Sequence, residues 1–137
     1  FDASALVKRY VQEPGSEEVE ALVRAGVAAT CRYTHVEILS ALARRARAGD
    51  VAPDDRRRAL ASVRGDFERL TVVELTREVV GECQRLLDRH PLRAGDALQV
   101  ASCVVLRDRL GVPVSFVAFD DRCSAAARAE GLAVEGG

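Results

Sequence analysis

Between Gly95 and Gly111 the chain runs without a helix breaker, and Ala97, Leu98, Val100, Ala101, Val104 and Val105 recur along it at helical spacing. Apolar residues cover so much of this helix that it must be largely buried, at the centre of the domain. Asp96 nonetheless shares a stripe with Val100, Cys103 and Val104, one and two turns further on. A carboxylate pointed inward is costly unless it is paired, hydrogen-bonded or bound to a metal. Any fold for this chain has to account for that acid.

At 137 residues the chain can bury a proper core, and we expect one domain spanning residues 1–137. Its apolar share of 48% and charged share of 30% are those of a soluble globular protein. A net charge of -1 gives no basic field to attract nucleic acid. A metal ion can supply the local positive charge that phosphates need, so the balance does not decide against RNA. No apolar run reaches the roughly 18 residues of a spanning helix, and no signal peptide is visible. Cys31, Cys83, Cys103 and Cys123 lack C-x-x-C spacing and there are only 2 histidines, so a zinc site is not expected. The cysteines read as small buried residues with reduced thiols in a cytosolic chain. The chain holds no Met and opens on Phe1, so the first strand is expected to begin upstream. The ending at Gly136-Gly137 carries the same expectation of truncation.

Along the chain, Phe1-Asp2 reads as the tail of a strand entering a helix from Ala3 to about Val11. Ser16, with Glu17 and Glu18, caps a second helix to about Ala25. Val27 to Cys31 is a short apolar run, expected as a buried strand. Thr34 opens a helix through Ala48 with Val36, Leu39, Leu42, Ala43 and Ala46 as its core face, closed by Gly49-Asp50. Pro53 to Asp66 is helical, Leu70 to Leu75 strand-like, and Thr76 caps a helix to about Arg89. After the central helix come the strand Val114–Phe119, a helix from Asp121 to Glu130 and a last edge strand at Leu132–Val134. Strands alternating with helices imply a mainly parallel sheet with helices on its faces.

The acids fall in a pattern. Asp2 and Asp120 each follow a strand, where parallel α/β sheets place their ligand sites. Glu37 and Asp96 each lie in the first turn of a helix, so four acids from distant segments can meet on one rim. Each also has a structural reading. Asp2 is placed to cap a helix, and Asp120 or Asp121 to cap the last one. Thr34-His35-Val36-Glu37 fits a capping box, and Asp96 gains from the helix dipole. None of these explains why all four share an edge. Carboxylates about 4 Å apart repel by several kcal/mol at an effective dielectric near 20. Such a group persists by sharing protons or holding a hard ion, and oxygen ligands suit Mg²⁺ or Mn²⁺. Metal-assisted phosphodiester hydrolysis is the reaction class that follows.

Four stretches carry a resemblance: Phe1-Asp2-Ala3-Ser4-Ala5-Leu6-Val7-Lys8, Thr34 to Leu42, His90 to Gln99 through Gly95-Asp96-Ala97, and Phe119-Asp120-Asp121-Arg122. In that order the chain resembles the PIN-domain ribonucleases, most closely the VapC-type toxins of toxin–antitoxin pairs. The resemblance implies a PIN-like three-layer α/β sandwich and Mg²⁺- or Mn²⁺-dependent endonuclease cleavage of RNA. It carries the acidic quartet onto Asp2, Glu37, Asp96 and Asp120, with Ser4 in support. Asp2 and Asp96 are the expected direct metal ligands. Whether Glu37 and Asp120 bind directly, bind through water or position the nucleophile is left open. It also implies a cognate antitoxin that blocks the site, and a homodimer. One departure is Ala118, where relatives often carry Ser or Thr two residues before the fourth acid, so Asp121 stays a candidate to share or replace the role of Asp120.

Weaker features remain. Arg56-Arg57-Arg58 reads as a solvated helix face. Arg93, one turn before Asp96, is a candidate to pair with it or to touch RNA. His35 and His90 read as turn or helix-end contacts, and two tyrosines without Trp offer no stacking platform. Two rivals stand beside the nuclease reading. One is a catalytically silent PIN-like interaction module; the other is a phosphoryl-transfer or receiver-type signalling domain. Against the second, Asp2 lacks Asp-x-Asp spacing and Lys8, the only lysine, lies near the start.

Overall fold

The computed structural model describes residues 1–136; Gly137, the last residue of the expected domain, lies outside them. A short helix α1 (Ala3–Leu6) tightens into a 3-10 turn (Val7–Arg9), followed by α2 (Ser16–Ala25) and strand β1 (Ala29–Cys31). Then come α3 (Arg32–Ala48), α4 (Pro53–Arg69), β2 (Thr71–Val73), α5 (Arg77–Arg89) and α6 (Ala94–Leu110). The chain finishes with β3 (Ser115–Val117), α7 (Asp121–Ala129) and β4 (Ala133–Glu135).

The strands pair in parallel, as the alternation requires. Ala29 stands opposite Thr71 in β1–β2, and Ser115 opposite Ala133 in β3–β4. Phe1 and Asp2 join the pairs. The Phe1 nitrogen donates to the Ala29 carbonyl at 2.9 Å, and the Thr30 hydroxyl donates to the Phe1 carbonyl at 2.8 Å. On the other side the Asp2 N–H donates to the Val117 carbonyl at 3.0 Å. The expected parallel layer is therefore present as two strand pairs bridged by two residues. Under α6, between β1 and β3, a cavity of about 440 Å³ is lined by residues that include Phe1, Thr30, Cys103 and Phe116. The Ser102 hydroxyl also lines it, buried and without a hydrogen-bond partner.

Helix α6 is the hub expected from its composition. Val100, Ala101, Val104 and Val105 pack with Val79 and Leu86 of α5, Phe116 of β3 and Ala127 of α7. Each such buried Val or Leu contributes about 1.5–3 kcal/mol. Leu6, Ile38, Leu42 and Val63 form a second centre joining α1, α3 and α4. Among the described residues no helix is long and apolar enough to cross a membrane. All four cysteines are free thiols.

Several local expectations change. The first helix stops at Leu6, and the chain to Arg9 tightens to 3-10 geometry. Ser16 is the first residue of α2, not its cap. Gly15 caps it with φ 90, where a Cβ would meet the Phe119 ring at 2.8 Å, and the Ser16 hydroxyl donates to the Lys8 carbonyl instead. Val27 is 93% exposed, so the buried strand begins only at Ala29. Helix α3 buries Thr34, Ile38 and Leu42, whereas Val36 and Leu39 face outward. Apolar residues sit on both sides of this helix, so periodicity could not choose the face that α1 and α4 would cover. His35 stacks on Phe67 at 4.2 Å. Arg57 and Arg58 pair with Asp54 and Asp55 on an exposed face.

Glu130, after α7, ties that helix to the end of α5. Its carboxylate takes Arg85 at 2.6 Å and His90 at 2.7 Å, with Arg89 at 3.6 Å. The Arg85 bond, then that of His90 and the charges of Arg85 and Arg89, hold its carboxyl down at about 2 against an ordinary 4.5, over the opposing effect of burial. A depressed folded pKa means this stabilisation is complete above the unfolded value and is lost as pH falls through the folded one. Because Arg85 and Arg89 are more than a third exposed, the contribution is about 1–2 kcal/mol. Glu130→Gln is therefore expected to lose about that much stability at pH 7. It also flattens the acid limb between pH 4.5 and about 2, as urea denaturation across a pH series would record.

Candidate active site

Asp2 is buried, 4% exposed, because α1 begins immediately after it and folds back over it. Its Oδ1 accepts from the Ala5 N–H at 2.8 Å, so the helix-cap reading holds for one oxygen. The Ser4 hydroxyl donates to both carboxylate oxygens, at 2.8 and 2.9 Å, and accepts from the Phe119 N–H at 2.8 Å. Ser4 thereby links Asp2 to the residue before Asp120. Burial pushes the Asp2 carboxyl above the usual carboxylate range; the bonds from Ala5 and Ser4 oppose this, and the charge of Asp120 adds to it.

Asp120 caps α7, accepting from the Cys123 N–H at 2.9 Å, and is half-buried. Asp121 is exposed, whereas the charge of Asp120 adds to the upward push on the Asp2 carboxyl. Asp96 is half-buried in the first turn of α6, its Oδ2 accepting from the Arg93 N–H at 3.4 Å. Arg93 thus meets Asp96 through its backbone, and among the described residues its guanidinium forms no ion pair with that acid.

Glu37 departs from its capping-box reading. Thr34 lies inside α3, which starts at Arg32 and is capped by Cys31. The Thr34 hydroxyl donates to Gln99 Oε1 at 2.8 Å, and Gln99 Nε2 donates to Glu37 Oε2 at 2.6 Å. Burial raises the Glu37 carboxyl, the Gln99 bond lowers it, and the charges of Asp2 and Asp96 raise it further. The charges of all four acids reach the buried sulfur of Cys123. Burial first, then the charges of Asp2, Asp96, Asp120 and Glu37, push that thiol far above its ordinary value.

Four residues beside this site carried no functional reading in the sequence: Gln99, Thr34, Cys123 and Tyr33. Gln99 had a usable signal, a polar side chain on a helix otherwise rich in Ala and Val. Tyr33 flanks Gly95, where a Cβ would fall 3.0 Å from its ring and 3.1 Å from Glu37 Oε1. None of the four acids lines the cavity between β1 and β3, so that cavity is a separate feature.

The donors here are all carboxylate oxygens, and none of the four acids is ion-paired with an Arg, Lys or His side chain among the described residues. A hard divalent cation fits that donor chemistry. Among the described residues, no three His, Cys, Asp or Glu side chains are grouped so as to hold one ion jointly.

Carboxylates gathered beside the strand ends of a parallel α/β layer define an α/β domain with an acidic site. The family model described as the PIN domain matches residues 1–129. Ribonuclease VapC45 of Mycobacterium tuberculosis (strain CDC 1551 / Oshkosh) is 35% identical over 113 residues, covering 79% of this chain and 76% of its own. Ribonuclease VapC49 of Mycobacterium tuberculosis (strain ATCC 25618 / H37Rv) matches with the same identity and coverage. The chain belongs to the PIN-domain family, among the proteins of VapC type. Membership replaces the receiver-type alternative, and Lys8 is engaged elsewhere, with Glu13 at 3.1 Å and the Pro14 carbonyl at 2.8 Å.

Ser4→Ala removes the donor to Asp2 and orphans the Phe119 N–H, and is expected to cost about 1–2 kcal/mol in chemical denaturation. Asp121→Asn, on the exposed side, is expected to stay within about 0.5 kcal/mol of wild type.

Proposed function

We propose that this protein is a cytoplasmic endoribonuclease, one domain over residues 1–137, that hydrolyses RNA phosphodiester bonds with Mg²⁺ or Mn²⁺ bound. The reading is supported by Asp2, Glu37, Asp96 and Asp120, whose charges act on one another or on Cys123 and none of which is ion-paired with a cationic side chain among the described residues. Asp2 and Asp96 would hold the ion, with Glu37 and Asp120 as direct or water-mediated partners. When bound, such an ion neutralises charge on a phosphodiester and makes a water more acidic. The residues of the chain supply position. The Ser4 hydroxyl, its one proton shared between both oxygens, and the Ala5 N–H fix the Asp2 carboxylate, and the Cys123 N–H fixes that of Asp120. Gln99 holds Glu37 toward the same point, and Arg93, exposed at the N-terminus of α6, is available to an RNA phosphate.

The likeness to ribonucleases of VapC type supports the further reading that this is the toxin half of a toxin–antitoxin pair, held inactive by a cognate antitoxin. A homodimer is part of the same proposal, supported by Val36 and Leu39, which leave an apolar strip outward on α3. A second reading, a catalytically silent interaction module, is favoured by one observation. As placed, no three potential ligands among the described residues are grouped to hold one ion together.

Cleavage of a mixed pool of labelled RNAs separates the two. Wild type with Mn²⁺ or Mg²⁺ is expected to cut, chelation with EDTA to abolish cutting, and Asp2→Asn or Asp96→Asn to lower kcat by about 100-fold or more. Cleavage that survives EDTA, or that both variants retain, contradicts the metal-dependent reading. No cleavage by wild type with either metal leaves the interaction module.

A further inference from the structure

Gln99 is 5% exposed and Thr34 fully buried, yet each presents polar atoms to the interior. Such groups are tolerated only when their hydrogen bonds are complete. Here they complete one another, across 65 residues from Thr34 to Gln99 and 62 from Gln99 to Glu37. The direction of this chain of bonds is forced. A carboxylate only accepts, so the Gln99 NH₂ must face Glu37; its carbonyl then faces Thr34, whose hydroxyl must donate. The opposite oxygen of Glu37 runs beside Gly95, where a methyl group would lie 3.1 Å away. Helix α6 thus holds one oxygen of Glu37 by a donor, and the absence of a side chain at Gly95 leaves room for the other.

We propose that Gln99 is a positioning residue for Glu37, its amide aimed by the Thr34 hydroxyl, so that Thr34 and Gln99 fix where this carboxylate stands in the site and Gly95 leaves it room. The proposal rests on the nuclease reading for its catalytic consequence, though not for its geometry. A tether that merely joined α3 to α6 would show the same polarity, so the two roles part in what their loss does. Removing one member of a positioning relay frees Glu37 to shift at the reacting centre. Small displacements of this kind cost rate, not substrate affinity.

The test uses the full chain in two measurements. In the metal-free protein, the Gln99 side-chain NH₂ is followed by ¹⁵N–¹H NMR. One of its protons is expected downfield and protected from exchange in wild type, and to lose both properties in Glu37→Ala. Thr34→Val is expected to shift the signal and Thr34→Ser to restore it. Unchanged Gln99 signals in Glu37→Ala overturn the relay, whatever the protein does to RNA. In RNA cleavage with Mn²⁺, Gln99→Met is expected to lower kcat by about 10- to 100-fold and Thr34→Val by about tenfold, with KM for RNA within about twofold. Thr34→Ser is expected to regain most of the loss. A raised KM at unchanged kcat, or losses that only follow the melting temperature and that Thr34→Ser does not recover, overturn the assignment. Should wild type cleave nothing, the nuclease reading fails and the amide spectrum still decides the relay.

Discussion

Like charges drawn out of water toward one point set the terms for the rest of this structure. Asp2 is almost wholly buried, Glu37 is half-buried, and both feel the charge of other acids while no cationic side chain among the described residues answers them. In an interior of low effective dielectric such an arrangement disfavours folding unless neutral donors hold each carboxylate or a cation joins them. The chain supplies the donors. Asp2 takes Ser4 and Ala5, Asp120 takes Cys123, Glu37 takes Gln99, and Asp96 takes the Arg93 N–H.

Those donors come from elements that the core already fixes. Helix α6 is buried along much of its length by α5, β3 and α7, so Asp96, Gly95 and Gln99 at its first turns have little freedom to move. The Phe1-Asp2 bridge between the strand pairs sets the height of Asp2, and Ser4 transmits that setting to Phe119 and the start of α7. Apolar packing of about 1.5–3 kcal/mol per buried Leu or Val offsets what the clustered acids cost. The site is therefore rigid for the same reason that the core is.

Much of this could be read in the sequence, unevenly. The buried α6, its end at Gly111, the Thr76 cap and the parallel strands followed from periodicity and from Gly and Thr chemistry. The four acids stood out because each was expected at a strand end or a first helical turn, although Glu37 lies beyond the first turn of α3, which starts at Arg32. The face of α3 could not be chosen, since Val36 and Leu39 were as apolar as Ile38 and Leu42 and only the neighbours decide. The partner of Glu37 was misassigned for a related reason. A Thr three residues before a Glu fits a local cap, whereas the actual donor lies 62 residues away and joins only when α3 packs on α6. Long-range pairing of that kind leaves no local trace beyond a lone Gln on an apolar helix. Asp120 and Asp121 follow the same strand, and only the fold separates them, Asp120 half-buried as the cap of α7 and Asp121 exposed.

The central claim is that the acids form a working metal site. The most direct measurement is thermal unfolding of the metal-free protein titrated with Mn²⁺, for wild type and Asp96→Asn side by side. Without metal, losing one charge should leave Asp96→Asn at least as stable as wild type. With metal, wild type should show a saturable rise, worth about 2.7 kcal/mol at a hundredfold excess over Kd, and Asp96→Asn should not. If millimolar Mn²⁺ shifts neither protein, or shifts both alike, the acids are not a metal site and the account fails at its centre.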